Sequence, residues 1–194
     1  MKLNDAQRIA SELVELLRPA CERIEVAGGV RRRKVEPHDI EIVAHPRFVQ
    51  RQVDMFTEEV VPETDAIIEA AKQAGIVCLD PDVKRDGPRY KRFLHHDSHA
   101  VVELFLVHDP DQWGAIFAVR TGPAEFGRLL VTSRAFGGAM PVGMRLAGGW
   151  LMKDGQRITT REERDYFWAI GRVPCWPPAE RTEERLRAWL RSKT

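Results

Sequence analysis

Cysteine is scarce. Cys21, Cys78 and Cys175 are the only three in 194 residues, far apart and without a CxxC pair. That spacing argues against a cysteine-built structural zinc and against a disulfide framework, and it predicts reduced thiols in a cytoplasmic protein. Long apolar runs are missing as well. No stretch approaches the roughly 20 apolar residues that span a bilayer, so no membrane association is expected. Met1-Lys2-Leu3-Asn4-Asp5 runs into a charged amphipathic pattern, which predicts no signal peptide. An excess of one charge sign is also lacking: 30 Lys and Arg stand against 29 Asp and Glu, for a formal net charge of +1. This excludes the bulk basicity of a chain that coats nucleic acid without selectivity. There is no internal repeat and no low-complexity segment.

The charges that are present are grouped. Arg31, Arg32, Arg33 and Lys34 are consecutive, and Lys84, Arg85, Arg89, Lys91 and Arg92 form a second basic group. Asp54, Glu58, Glu59, Glu63 and Asp65 lie between them. Local positive patches on a neutral chain suit an anionic ligand held at one place, against the plainer alternative of solvated surface charge.

Periodicity divides the chain near Val107–Pro110. The first part reads as a helix capped by Asn4, with Ile9, Leu13, Leu16 and Leu17 on one face, closed by Pro19. Strands follow over 23–27, 39–44, 76–79, 90–95 and 100–107, with a helix over 62–74. The last two strands flank a polar turn, His96-Asp97-Ser98-His99. The histidines His95, His96 and His99 fit such a turn better than a metal site. The second part predicts helices from Asp109 to Arg120 and from Ala124 to Ala135. A hairpin over 144–158 comes next, turning at Lys153-Asp154-Gly155-Gln156. A helix capped by Thr160 with Glu163 as its capping box runs to Ile170, and a last amphipathic helix spans 182–192. The five tryptophans, Trp113, Trp150, Trp168, Trp176 and Trp189, are expected to pack in the core or between subdomains.

The sharpest constellation begins at Val26-Ala27-Gly28-Gly29. A strand ends at two glycines, so backbone N–H groups can approach a ligand with no Cβ in the way. Arginines follow directly, and guanidinium groups pair bidentately with phosphate oxygens. About ten residues on, Asp39 and Glu41 stand at i and i+2 of a strand, on one face of a sheet. Adjacent carboxylates repel unless a cation sits between them. Hard ions such as Mg²⁺ accept carboxylate and phosphate oxygens together. Glu103, inside the apolar run Val101–Val107, supplies a third acid where burial is expensive. Three carboxylates beside a phosphate-binding turn fit two-metal phosphoryl transfer.

These residues carry a resemblance. The segment resembles the nucleotidyltransferase signature and, more specifically, family X DNA polymerases, the polymerase beta group. Gly87-Pro88-Arg89-Tyr90-Lys91-Arg92-Phe93 followed by Val102-Glu103-Leu104 resembles the strand pair that delivers the family's third carboxylate. The run from Trp113 to Phe126, with Thr121-Gly122, resembles the helix and turn that embrace the incoming nucleotide. Ile170 to Arg181 resembles the family's C-terminal tail.

The resemblance implies an α+β fold. A nucleotidyltransferase palm, a mixed β-sheet with flanking helices, would cover residues 1–109, and a thumb-like helical subdomain with a β-hairpin would cover 110–194. The length leaves no room for the family's lyase and helix-hairpin-helix segments. It further implies that Asp39, Glu41 and Glu103 are catalytic and ligate two divalent ions, Mg²⁺ or Mn²⁺. Gly28, Gly29 and Arg32 would bind the triphosphate. Arg120, Thr121 and Gly122 would lie against the sugar, and Phe126 and Gly127 near the base. Apart from the resemblance, the basic residues themselves invite DNA contacts: Lys91 and Arg92, on the strand beside Glu103, come first, and Arg128, Arg134, Arg145, Lys153 and Arg157 could contact phosphates, each against the plainer alternative of solvated surface charge. The implied partners are a dNTP or NTP and primer-template or gapped DNA, acted on by a monomer of bacterial or viral origin.

Departures from the family pattern carry their own expectations. Glu stands for Asp at the second and third carboxylates, which favours a shifted strand or Mn²⁺. Gly29 stands for a common serine. Val119-Arg120 replaces an aromatic pair, and Gly127 and Val131 replace polar residues. Weak sugar discrimination and low fidelity follow, in gap filling or end repair. Two alternatives remain: a nucleotidyltransferase acting on a small molecule, RNA or protein, and a catalytically weakened DNA-binding accessory protein.

Overall fold

Ile9, Leu13 and Leu17 recur at helical spacing, and α1, Leu3–Leu17, buries all three. The computed structural model describes residues 1–52, 57–81 and 87–193. The helix begins earlier than the sequence suggests. Lys2 is its N-cap, and the Leu3 N–H donates to the Val35 carbonyl at 3.1 Å, so Asn4 falls in the first turn.

The chain divides into two units: Met1–Val26 with Val35–His108, and Ala27–Lys34 with Asp109–Thr194. In the first, α1 is followed by β1, Cys21–Val26; the helical turn α2, Gly28–Arg31, that comes next belongs to the second unit. Then come β2, Asp39–Pro46; β3, Phe48–Gln52; β4, Glu58–Pro62; α3, Thr64–Gln73; β5, Val77–Leu79; β6, Tyr90–His95; and β7, Val101–Leu106. Five strands form one sheet in the order β1-β2-β7-β6-β5. The β2–β7 pair is parallel and the other pairs antiparallel, so the sheet is mixed. A β3–β4 hairpin stands apart from it and is not foreseen by the sequence reading. It absorbs much of the acidic stretch: Glu59 pairs with Arg51 at 3.5 Å, and Glu63, next to β4, pairs with Arg47 at 3.0 Å. Asp54, Lys84 and Arg85 lie outside the described residues.

Strand alternation gives the five-stranded sheet two unlike faces. Ile24, Ile40, Ile42, Phe93, Val102 and Leu104 are buried on one of them. Helices α1 and α3 pack on that side: Asp65 of α3 meets Lys91, and Glu12 of α1 approaches His95. Burying each such apolar side chain contributes about 1.5–3 kcal/mol. That fixes the register, because a slip of one residue would expose Ile40 and Ile42 and bury Asp39 and Glu41. The polar turn after β6 is held locally, with His95 Nδ1 2.9 Å from the Ser98 hydroxyl and His96 3.2 Å from Asp97.

The second unit contains α4, Trp113–Thr121; α5, Ala124–Val131; β8, Met144–Ala147; β9, Trp150–Lys153; β10, Gln156–Ile158; α6, Glu163–Ala169; and α7, Glu183–Arg191. Phe126, Leu130, Leu151, Tyr166, Phe167 and Leu186 form its core. Helix α5 stops at Val131, short of Ala135, because Thr132 turns extended and the Ala139 N–H caps the Leu129 carbonyl at 2.8 Å. The expected hairpin is a three-stranded antiparallel sheet. Gly148 and Gly149 supply a second turn with two positive φ angles, as Asp154 and Gly155 do at the first. Helix α6 is capped by Glu162 and Asp165 rather than Thr160 and Glu163. Four tryptophans are buried or half-buried, but Trp168 is 64% exposed, with the Arg172 guanidinium 4.6 Å above its ring. The chain is α+β, and among the described residues no helix is long and apolar enough to cross a membrane.

Candidate active site

In the first unit, the sheet face opposite α1 and α3 carries the acids. Alternation along β2 puts Asp39 and Glu41 on it, and the parallel pairing makes Glu41 the direct partner of Glu103. All three are half-buried. Like charges on adjacent strands oppose the fold unless something neutralises them. Glu103 has local neutralisers from β6: Tyr90 Oη donates to Oε1 at 2.6 Å, and Arg92 Nη1 stands 3.9 Å from the same oxygen. Arg92 Nε also donates at 2.8 Å to Asp80, which is 8% exposed. Burial, and then the bond to Glu103, push the Tyr90 phenol up to about 12, so it remains a donor through the neutral range. Oε2 of Glu103 and both oxygens of Asp39 accept no hydrogen bond among the described residues.

The donor set is all carboxylate oxygen, the chemistry that Mg²⁺ and Mn²⁺ take. Among the described residues no three acidic, His or Cys side chains are drawn around a common point. The residues fit a hard divalent cation by chemistry and by shared face, with Glu103 tied at one oxygen to Tyr90.

The second unit carries the glycine turn and the arginines. Gly28 has φ +58°, a conformation that a side chain would strain, as the chain enters α2. The arginine run divides its labour. Arg31 donates from Nη1 to the Thr121 hydroxyl at 2.6 Å and from both terminal nitrogens to Glu163, each at 2.8 Å. Its guanidinium lies 3.9 Å above the Phe117 ring. Arg181, 2% exposed, donates to the same carboxylate at 2.5 and 3.2 Å and to the Trp176 carbonyl at 2.9 Å. Burial alone would push Glu163 up; the bonds from Arg31 and Arg181 outweigh it and hold the carboxyl below the usual carboxylate range. Arg32 Nη1 donates to the Thr121 carbonyl at 2.6 Å.

The other candidates are placed as follows. Arg120 is exposed near the end of α4, and Thr121 is fully buried. A Cβ at Gly122 would stand 2.5 Å from the Phe126 ring, and one at Gly127 3.0 Å from the Val119 carbonyl, so both glycines are packing positions. Phe126 is 0% exposed and packs near Phe167 and Trp176. Arg92 shares the carboxylate face, whereas Lys91 points the other way, to Asp65 at 3.4 Å. Arg128 is exposed and paired with Glu125, and Arg145 is exposed on β8.

Sequence reasoning missed Tyr90, Asp80, Glu163 and Arg181. Tyr90 had a signal: it stands two residues from Arg92 on a strand next to Glu103, hence on the same face. Glu163 and Arg181 had none, because their partner Arg31 is distant in sequence. Compared with known proteins, the chain matches no family model and no curated protein.

Proposed function

We propose that this chain is a nucleotidyltransferase of the family X DNA polymerase type. It would join nucleoside monophosphates from dNTPs or NTPs to a DNA 3′-hydroxyl, in gap filling or end repair. One observation carries the reading: Asp39, with no hydrogen-bond partner among the described residues, stands on the same sheet face as the adjacent pair Glu41 and Glu103. A protein gains nothing in stability by gathering acids on one face, so such a cluster points to a cationic ligand. The mixed sheet with α1 and α3 on its other face supports a nucleotidyltransferase palm for the first unit.

Divalent cations held by Asp39, Glu41 and Glu103 would supply charge neutralisation at the triphosphate and acidify the attacking hydroxyl. The chain's own groups do the rest. The Gly28–Gly29 turn offers backbone close to a phosphate with no side chain intervening. Arg32 adds a fixed cation, and Thr121, anchored by Arg31, sets the end of α4 where the sugar would lie. Phe126 acts from the core by holding Gly122 and α5 in place. Tyr90 and Arg92 orient Glu103 and restrain its charge.

The test is extension of a labelled primer on a one-nucleotide-gapped duplex with Mg²⁺ and with Mn²⁺, beside Asp39→Ala. Extension that requires metal and Asp39 is expected. The grip of Tyr90 and Arg92 on Glu103 favours a second reading, a DNA-binding accessory protein with a weakened site. Salt-dependent DNA binding without extension in either metal would select it.

A further inference from the structure

The second unit has a cationic cleft that the proposed chemistry does not use. It is a cavity of about 350 Å³ between the 133–138 loop and the last turns of α7, lined by Arg134, Arg187, Arg191, Lys193 and the backbone of Gly137 and Gly138. Of its four cations only Arg187 has a carboxylate partner among the described residues, Glu183 at 2.7 Å. Arg134 is held by neutral acceptors instead, the carbonyls of Ala139 at 3.3 Å and Ile170 at 3.5 Å. Its guanidinium rests on Gly171, where a Cβ would stand 2.1 Å from Nη2. A guanidinium fixed by carbonyls keeps its full charge and is preorganised. Phe136, on the same loop, is 84% exposed. Uncompensated cations together with an exposed aromatic ring are the combination that holds a single nucleic-acid strand: cations follow the phosphates, and the ring stacks on a base.

We infer that this cleft binds the phosphodiester backbone of single-stranded DNA, with Phe136 stacking on a base. The inference rests on the proposed polymerase reading for its choice of DNA, and it adds a strand-holding surface to that chemistry. A chain with a net charge of +1 cannot hold DNA by bulk charge, so affinity must come from local patches of this kind.

The test is fluorescence anisotropy with a labelled 16-nucleotide DNA strand, without divalent metal or nucleotide, across a salt series. The double variant Arg191→Gln/Lys193→Gln changes two exposed side chains. It should bind about tenfold more weakly at low salt and lower the slope of log K against log salt by about 1.4, two contacts at 0.7 each. Phe136→Ala should weaken binding by at least about fivefold with the slope unchanged. Arg191→Lys should retain most of the affinity, separating charge from packing. Unchanged affinity and slope in the double variant would overturn the inference. So would inorganic pyrophosphate competing as well as the strand at equal phosphate, which would mark a small-anion pocket. Primer extension by the same proteins separates the two proposals. Lost strand binding with no extension in wild type keeps the cleft and removes the polymerase; Asp39-dependent extension with unaltered binding removes the cleft alone.

Discussion

Two acidic sites in this chain are built on opposite rules. Glu163, in the second unit, sits between two guanidinium groups, and four N–H groups occupy its two oxygens. Its charge is buried, paired and fully hydrogen-bonded, the condition under which an ion inside a protein is tolerated. Asp39, in the first unit, is half-buried beside two other acids and accepts nothing among the described residues. The first arrangement joins α2, α6 and the 176–181 tail into one structure. The second leaves acceptor capacity unspent. An acid whose lone pairs are all taken belongs to the fold; an acid kept near other acids with lone pairs unspent is the one to which the proposed function assigns chemistry. The difference also divides the arginine run: Arg31 serves the fold, although by sequence it looked like one more phosphate ligand.

The largest effect should come from the unspent acid. Asp39→Ala is expected to lower primer extension by at least about a thousandfold, some 4 kcal/mol of transition-state stabilisation. Its urea midpoint should stay within error of wild type or rise, since a repulsive charge is removed. A fall in the midpoint would mean that Asp39 belongs to the fold and that the contrast fails. Glu163→Ala should behave in the reverse way. Removing it leaves the buried Arg181 facing the half-buried Arg31 with no carboxylate between them, at about 3–5 kcal/mol in unfolding free energy. Unfolding followed by tryptophan fluorescence checks this, and a loss under about 1 kcal/mol would show that water reaches the cluster.

Much of the first unit was legible in the sequence because its signals are local. Ile40 and Ile42 alternating with Asp39 and Glu41 give both the strand and the face. The placement of Glu103 follows from its position inside an apolar run. The pairing of β2 with β7, which makes Glu41 and Glu103 neighbours, is a tertiary fact that no window of sequence contains. Local signals misled where a tertiary partner competed. Thr160 and Glu163 satisfy the capping-box spacing, but Arg31 and Arg181 draw Glu163 inward, and Glu162 with Asp165 takes over the cap. The β3–β4 hairpin was read only as charge, since its exposed faces lack an apolar stripe. Lys91 and Arg92 are adjacent in sequence and looked equivalent; strand alternation sends them to opposite faces.

A smaller effect tests the paired acid through pH. The carboxyl of Glu163 is depressed on folding, so its contribution to stability is present above the ordinary value of about 4.3 and is lost as pH falls through the lower, folded value. Wild type should therefore lose stability between pH 5 and pH 3 more steeply than Glu163→Gln, measured by urea midpoints across that range. Parallel pH curves would show that the cluster carries no linked proton.

The smallest effect concerns the one acid that is partly tied, Glu103. Tyr90→Phe removes the 2.6 Å bond and leaves Oε1 with Arg92 alone at 3.9 Å. The loss in stability should be about 1 kcal/mol, that of one hydrogen bond. Burial first, and then the bond to Glu103, raise the phenol on folding, so the stability tied to its proton is full below the ordinary tyrosine value of about 10 and is lost as pH rises towards about 12. Wild type should then lose stability between pH 10 and pH 12 while the Phe variant does not. Freed from the phenol, Glu103 has both oxygens for a cation. The Phe variant should reach half-maximal extension at a Mg²⁺ concentration severalfold lower, with a maximal rate within about tenfold of wild type. If the Mg²⁺ requirement stays the same while the alkaline difference appears, Tyr90 supports the sheet and Glu103 is not restrained by it. If neither differs, the bond carries no free energy, and Glu103 stands with Asp39 as an acid that the fold leaves alone.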